Sequence, residues 1–274
     1  LNAHQRTLRM RGRPKIVLAR SYEEAMELYE KYANNVLGVI TDARYPRNGL
    51  VDPMAGIKLL GEIRKRDPFV PLILESSEVN NKEYARLYEA SFVDKNSKKM
   101  NIDLREIVSE NFGFGDFVFR NPNTMEEVAR VRNLKELQNI IYSIPKESLL
   151  YHVQRNHVSR WLYSRAMFPA AEFLKQITWD SLQDVDAHRK VIFEAIVKYR
   201  KMKNQGVVAI FQRDRFDRYS NFARIGEGSL GGKGRGLAFI DNMVKRHPEF
   251  EEFDNATVSI PKTVVLCTDI FDEF

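Results

Sequence analysis

Over the first hundred positions, short continuous apolar runs alternate with amphipathic stretches of helical period. Lys15-Ile-Val-Leu-Ala19 reads as a strand. Ser21-Tyr-Glu-Glu24 has the spacing of a capping box and opens a helix through Tyr32. Val36 to Thr41 is a second β-like run, closed by Asp42. Gly56 to Lys65 carries apolar residues at helical spacing and stops at Asp67-Pro68. Val70 to Leu74 is a third run, leading into Glu75, Ser76 and Ser77. A short helix from Lys82 to Tyr88 then precedes Ser91-Phe-Val-Asp94 and Lys95. Strands that are apolar throughout, alternating with helices, predict a parallel sheet covered on both faces.

From Asn111 the pattern changes. Asn111 to Arg120 is a glycine-aromatic segment, read as a linker or the start of a small strand. Helical periodicity dominates from there: Asn133 to Tyr142, the aromatic-rich Glu147 to Leu174, and Asp186 to Lys203. Gly206 to Phe211 is strand-like. It feeds the glycine-rich Gly226 to Gly236, after which Leu237 to His247 reads as a helix and Ala256 to Thr268 as a β-rich segment. The domains expected are an α/β domain over 1–115, a helical connector over 116–205, and a third domain from 206 to 274.

Chemistry in parallel sheets gathers at the carboxyl ends of the strands. Asp42, Ser76 and Lys95 end three successive runs. An acid, a hydroxyl and an amine at one edge can accept, orient and neutralise a phosphoryl group. In this order, with Pro46 after the acid and Gly56-Ile-Lys-Leu-Leu60 opening the next helix, they resemble the receiver domain of two-component response regulators. The resemblance implies a flavodoxin-like sheet, Asp42 as phosphoacceptor, Ser76 as switch hydroxyl, Lys95 as the invariant lysine, and a histidine kinase as partner. Two departures stand out. The loop between Pro46 and Gly56 is longer than in receivers, and its Asp52 is read as a turn cap. The family's first strand, with its magnesium-binding acidic pair, has no counterpart, so the chain reads as a piece of a longer protein. Metal binding then falls on Asp42 alone, a poor Mg²⁺ site that should phosphorylate badly.

Gly226-Glu-Gly-Ser-Leu-Gly-Gly-Lys-Gly-Arg-Gly236 is the densest signal. Glycines permit positive φ, so the backbone N–H groups can turn toward one anion beside Lys233. It is not a Walker A loop, because Glu227 and Gly234 stand where that pattern needs Gly and Ser/Thr. With no apolar strand expected directly before it, a dinucleotide fingerprint is also not expected; the bland alternative is a flexible hinge. The order glycine-lysine loop, helix, Ile260-Pro-Lys-Thr-Val-Val-Leu266, then Asp269 to Phe274 resembles the start of the ATP-grasp domain of pyruvate phosphate dikinase and phosphoenolpyruvate synthase. That resemblance covers about the last fifty residues. It implies an α+β nucleotide domain, ATP with Mg²⁺ as cofactors, and Gly231, Gly232, Lys233, Gly234 and Arg235 at the ATP phosphates. Pyruvate or a related acceptor would be phosphorylated through a mobile histidine domain, and no catalytic residue is expected in this stretch itself.

Other features are read as structural. His152 and His157 lie five apart, which on one helix separates their faces, so no metal pair is expected. Arg155, Arg160 and Arg165 spread around such a helix, and Trp161 is read as core. Cys267 is the single cysteine, expected as a small buried hydrophobe, which excludes internal disulfides. The net charge of +6 concentrates at Arg6 to Lys15 and at Lys198 to Lys203; nucleic-acid binding wants basic residues interleaved with aromatics on a defined face, and solvated helix faces plus a phosphate site explain the charge better, so nucleic acid is not expected as a partner. No apolar run approaches a membrane span and no signal peptide is evident, so a cytoplasmic location is expected. The rival from another class is a degenerate receiver serving protein–protein interaction without phosphotransfer.

Overall fold

The Ser21 hydroxyl accepts from the Glu24 N–H at 3.2 Å, and the Glu24 carboxylate accepts from the Arg20 N–H at 2.6 Å. This reciprocal cap, shifted by one residue on its return bond, starts helix α1, Tyr22–Tyr32. The computed structural model describes residues 14–179, 184–203, 208–211, 222–251, 256 and 258–273. The chain is mixed α/β and divides into two compact units, Leu1–Ile192 and Phe193–Phe274.

In the first unit, strands β1 (Val39–Asp42), β4 (Leu72–Ser76) and β5 (Ser91–Asp94) pair in parallel, in the order β1-β4-β5. The register sets Asp42 beside Glu75 and Ser76 beside Asp94. Side chains alternate across a strand. Leu72 and Leu74 accordingly join a core with Tyr29 of α1 and Ile57, Leu60 and Ile63 of α2 (Ala55–Arg66). Ile73 points the other way, to Val93 and Phe112 and the apolar stripe Met100, Leu104, Ile107 of helix α4 (Met100–Asn111). Both faces are therefore covered. Helix α3, Lys82–Leu87, leads into β5.

Three sequence expectations need correction here. Lys15–Ala19 is not a strand: it pairs with nothing, and Ile16 is 97% exposed. A β-run becomes a strand only where a neighbour completes its hydrogen bonds, and among the described residues none lies alongside. The long loop after Pro46 is a hairpin, β2 (Tyr45–Arg47) and β3 (Leu50–Asp52), turning on Asn48 and Gly49 at φ 53° and 77°. Asn-Gly in this conformation is the favoured two-residue hairpin turn. Helix α4 has an i, i+4, i+7 stripe that the sequence reading passed over.

The same unit continues with a second antiparallel hairpin, β6 (Phe117–Arg120) and β7 (Glu127–Val131), and helix α5, Leu134–Ile140. The aromatic stretch is three helices: α6 (Lys146–Gln154), α7 (His157–Tyr163) and α8 (Phe168–Lys175). They break at Asn156 and Ala166, both left-handed at φ 57°. Trp161 is buried, its indole N–H donating to the Gly115 carbonyl at 3.1 Å and its face covered by Arg165 at 4.2 Å. Arg165 also donates to the Gly113 and Gly115 carbonyls at 2.6 Å each, locking this turn to α7.

Helix α9, Val185–Lys203, runs across the unit boundary. In the second unit, β8 (Ala209–Ile210), β9 (Phe222–Ile225) and β10 (Thr263–Leu266) form a parallel sheet in the order β10-β9-β8. Helix α10, Gly231–Arg246, joins β9 to β10, and α11 (Thr268–Asp272) follows. Cys267 is buried and unoxidised between them. Of the expected strand from Gly206, residues 206–207 lie outside the described residues. No described helix is long and apolar enough to cross a membrane.

Candidate functional site

The carboxyl edge of the first sheet gathers the acid and the amine. Asp42 ends β1, and the Lys95 ammonium, one residue past β5, contacts its Oδ2. Lys95 is fixed there by its own N–H, which donates to the Ser76 carbonyl at 3.0 Å and extends the ladder by one residue. Asp42 is placed from below by a close crossing. The Ala43 N–H donates to the Glu75 carbonyl and the Gly56 N–H to the Ala43 carbonyl, each at 3.0 Å. A Cβ on Gly56 would lie 1.8 Å from the Asp42 carbonyl oxygen, so only glycine lets α2 approach β1 this closely.

Ser76 reaches the same edge, but its hydroxyl is engaged. It is buried, accepting from the Asn81 side-chain amide at 2.9 Å and from the Glu78 N–H at 3.0 Å. The sequence reading gave no role to Asn81 or Glu75. Glu75 sits beside Asp42 in register, and burial, with a smaller contribution from Asp42, raises its pKa against the pull of Lys95. Only strand pairing reveals that neighbour. Asp52 takes a turn role: it accepts from the Met54 N–H at 2.8 Å and pairs with Lys58 at 2.7 Å.

For magnesium this edge is a poor fit. One carboxylate is in contact with an ammonium, and no described group of three or more acidic, His or Cys residues could hold a metal. Mg²⁺ demands near-octahedral oxygen ligation.

In the second unit, the glycine stretch differs from its expected form in three ways. Helix α10 begins at Gly231 rather than Leu237, so Gly231, Gly232, Lys233, Gly234 and Arg235 are its first turns. Only Gly226 and Gly231 have positive φ in this stretch, 94° and 69°. And a parallel strand does lead straight in: β9 ends at Ile225, and Gly226-Glu-Gly228-Ser-Leu-Gly231 has the spacing of a dinucleotide fingerprint.

The donors of that turn are already taken. The Asp269 carboxylate accepts from the Glu227 N–H at 2.7 Å, and the Thr268 hydroxyl accepts from the Ser229 N–H at 3.0 Å. Cβ atoms on Gly226 or Gly228 would fall 2.5 and 2.7 Å from Asp269 Oδ1. These two glycines make room for an internal carboxylate, so a pyrophosphate has no place in the turn. Backbone hydrogen bonds, that from Glu227 first, hold the Asp269 pKa below its ordinary value.

What stays open is the end of α10. The first N–H groups of a helix have no intrahelical acceptor. Gly231, Gly232 and Gly236 face open space, and Lys233 is exposed with no ion pair to a described residue. Arg235 is pinned instead, donating to the Ser229 hydroxyl at 2.7 Å. Gly234 packs against Val265, 3.2 Å from where its Cβ would stand. Gly232, Lys233 and their N–H groups thus fit the outer edge of a phosphate chain, with the dipole of a sixteen-residue helix behind them. Comparison with models of known families, with characterised proteins and with solved structures finds no match.

Proposed function

We propose that the chain is the regulatory and nucleotide-entry part of an ATP-dependent phosphotransferase of the phosphoenolpyruvate synthase type. The first unit carries a receiver-type acidic edge, and the second the opening of an ATP-grasp domain. The observation that carries the reading is the contact between Asp42 and Lys95 at the carboxyl edge of a parallel sheet. Lys95 neutralises charge on a phosphoryl group passed from the kinase's histidine nitrogen to Asp42, while Oδ1, held only by a long 3.4 Å bond from the Arg44 N–H, is the attacking atom. The hydroxyl of Ser76 exchanges its Asn81 partner for the phosphoryl oxygen. At the second unit, Lys233 and the N–H groups of Gly232 and Lys233 hold ATP phosphates, the Gly231 N–H being taken by the Ser229 hydroxyl at 3.3 Å, with electrostatic stabilisation of the transferred group. Pyruvate or a related acceptor, and a histidine kinase acting on Asp42, are the partners this reading implies.

A second reading has its own support. The crowding of Asp42 by Glu75 and the engaged Ser76 hydroxyl favour an interaction module without phosphotransfer. Titrating fluoroberyllate with Mg²⁺ into the ¹⁵N-labelled longer phosphotransferase, where an acidic pair would complete the metal site, separates the two. The phosphoacceptor reading expects amide shifts at 42, 76 and 95 that Asp42→Asn abolishes. Shifts absent from the unsubstituted chain, or unchanged in Asp42→Asn, select the interaction module. For the ATP edge, Lys233→Ala in the longer phosphotransferase should slow phosphoryl transfer roughly ten- to a hundredfold. An unchanged rate would leave the glycine stretch as a hinge.

A further inference from the structure

At the other end of the first sheet, near the amino ends of β4 and β5, a cleft of about 350 Å³ opens between the sheet and helices α6 and α7. We propose that this cleft binds a small organic acid, carboxylate or phosphate monoester, through Arg155, Arg160 and the Nε2–H of His157.

The break at Asn156 sets α7 at an angle to α6, so His152 and His157 meet, Nδ1 to Nδ1, at 2.9 Å. Five-residue spacing separates them only on a continuous helix. The Arg120 backbone N–H donates to His152 Nε2 at 2.9 Å, so that nitrogen carries no proton. His152 must therefore hold its proton on Nδ1 and donate it to His157 Nδ1. His157, accepting there, carries its own proton on Nε2. Burial favours the neutral form of both rings, holding His152 down at about 4 and His157 well below its ordinary value. The chain of donors leaves the Nε2–H of His157, a cleft-lining residue, without an acceptor among the described residues.

The cations beside it are in the same condition. Arg160 is largely buried, and burial pushes its pKa down to about 10 against the smaller opposing pull of Asp67. Its guanidinium's one hydrogen bond to a described residue is to the Phe69 carbonyl at 2.8 Å. Arg155 lies over the Tyr151 ring at 4.3 Å and reaches the Tyr151 carbonyl at only 3.4 Å. Neither forms an ion pair with a described residue. Arg64, by contrast, spends its donors on backbone carbonyls of the turns at 67–70 and 88–89 and serves as wall. Two guanidiniums and a fixed imidazole donor make a half-desolvated site for one oxyanion group. Carboxylates of Glu89, Glu110 and Asp116 also line the cleft, Asp116 lying 3.7 Å from Arg130. They repel a second anionic group, which selects small ligands with one charged end. The volume is within the range of small-molecule sites.

The test uses the whole chain, with ¹⁵N-histidine spectra recording the tautomers while inorganic phosphate is titrated in one arm and butyrate, a monocarboxylate, in the other. Unliganded protein should show an Nδ1–H tautomer for His152 and an Nε2–H tautomer for His157. One of the two anions should shift His157 Nε2 saturably, and the arm that does so identifies the ligand class. Arg160→Met should weaken that binding about ten- to a hundredfold. Arg155→Gln does the same without touching the Phe69 contact, so the proposal stays testable if Arg160→Met fails to fold. No saturable shift from either anion, or equal affinity in Arg155→Gln, overturns it. The outcome is independent of Asp42, which lies at the opposite end of the sheet.

Discussion

Gly56→Ala and Gly61→Ala place the same methyl group on the same helix, with opposite expected results. At an unconstrained interior helix position, alanine is favoured over glycine by about 1 kcal/mol. At Gly61 the nearest atoms are the edge of the Tyr88 ring at 3.2 Å, and a ring edge can yield by a few tenths of an ångström. That substitution should be close to neutral. At Gly56 the obstacle is the Asp42 carbonyl oxygen at 1.8 Å, which belongs to the backbone of β1. Ordinary contact requires α2 and β1 to part by about 1.6 Å. Overpacking of buried sites costs about 1–3 kcal/mol or somewhat more, which exceeds the propensity gain. Gly56→Ala should therefore lose about 2 kcal/mol, or roughly 1 M in the urea midpoint at an m-value near 2 kcal/mol/M. The same displacement moves Asp42 relative to Lys95, so the amides of both should shift in ¹⁵N spectra, and those of Gly61→Ala should not. A Gly56→Ala protein as stable as Gly61→Ala, with unmoved Asp42 and Lys95 signals, would refute the claim that this crossing positions the acid.

Two further outcomes are expected. Asp269→Asn should loosen the glycine turn, seen as faster amide exchange at Glu227 and Ser229; and because the folded pKa of Asp269 lies below its ordinary 3.8, its contribution is present above that value and lost as pH falls through the folded one. His152, held near 4 against an ordinary 6.5, binds its proton more readily unfolded, so stability of the first unit should fall as pH drops from about 6.5 to 4; His152→Gln should flatten that slope, and a slope unchanged in the variant would contradict the buried neutral pair.

The alternation of strand and helix, the capping box at Ser21 and the edge position of Asp42 and Lys95 were legible because each rests on local pattern. Their failures share a cause as well. Lys15–Ala19 has a strand's composition but no neighbour, and pairing is not a local property. Asn48-Gly49 and the stripe of α4 were readable signals that went unread. Glu75, Asn81 and the meeting of His152 with His157 depend on register or on a helix break at a left-handed asparagine, which periodicity does not encode.

The glycine stretch shows why composition alone misjudges a phosphate loop. Gly226 and Gly228 are small because Asp269 lies against them, and Gly234 because Val265 does. Gly231 is left-handed at φ 69° with nothing near its Cβ position. Three of the six glycines, Gly226, Gly228 and Gly234, are set by packing within the chain. Anion binding needs donors that remain unspent, so the count that matters is of free N–H groups rather than of glycines. By that measure the turn at Gly226–Gly228 is closed by Asp269, and the binding capacity moves to the start of α10. Any phosphate held by this unit must therefore meet Lys233 from the helix end, which places the functional weight on that lysine and its two neighbours rather than on the whole run.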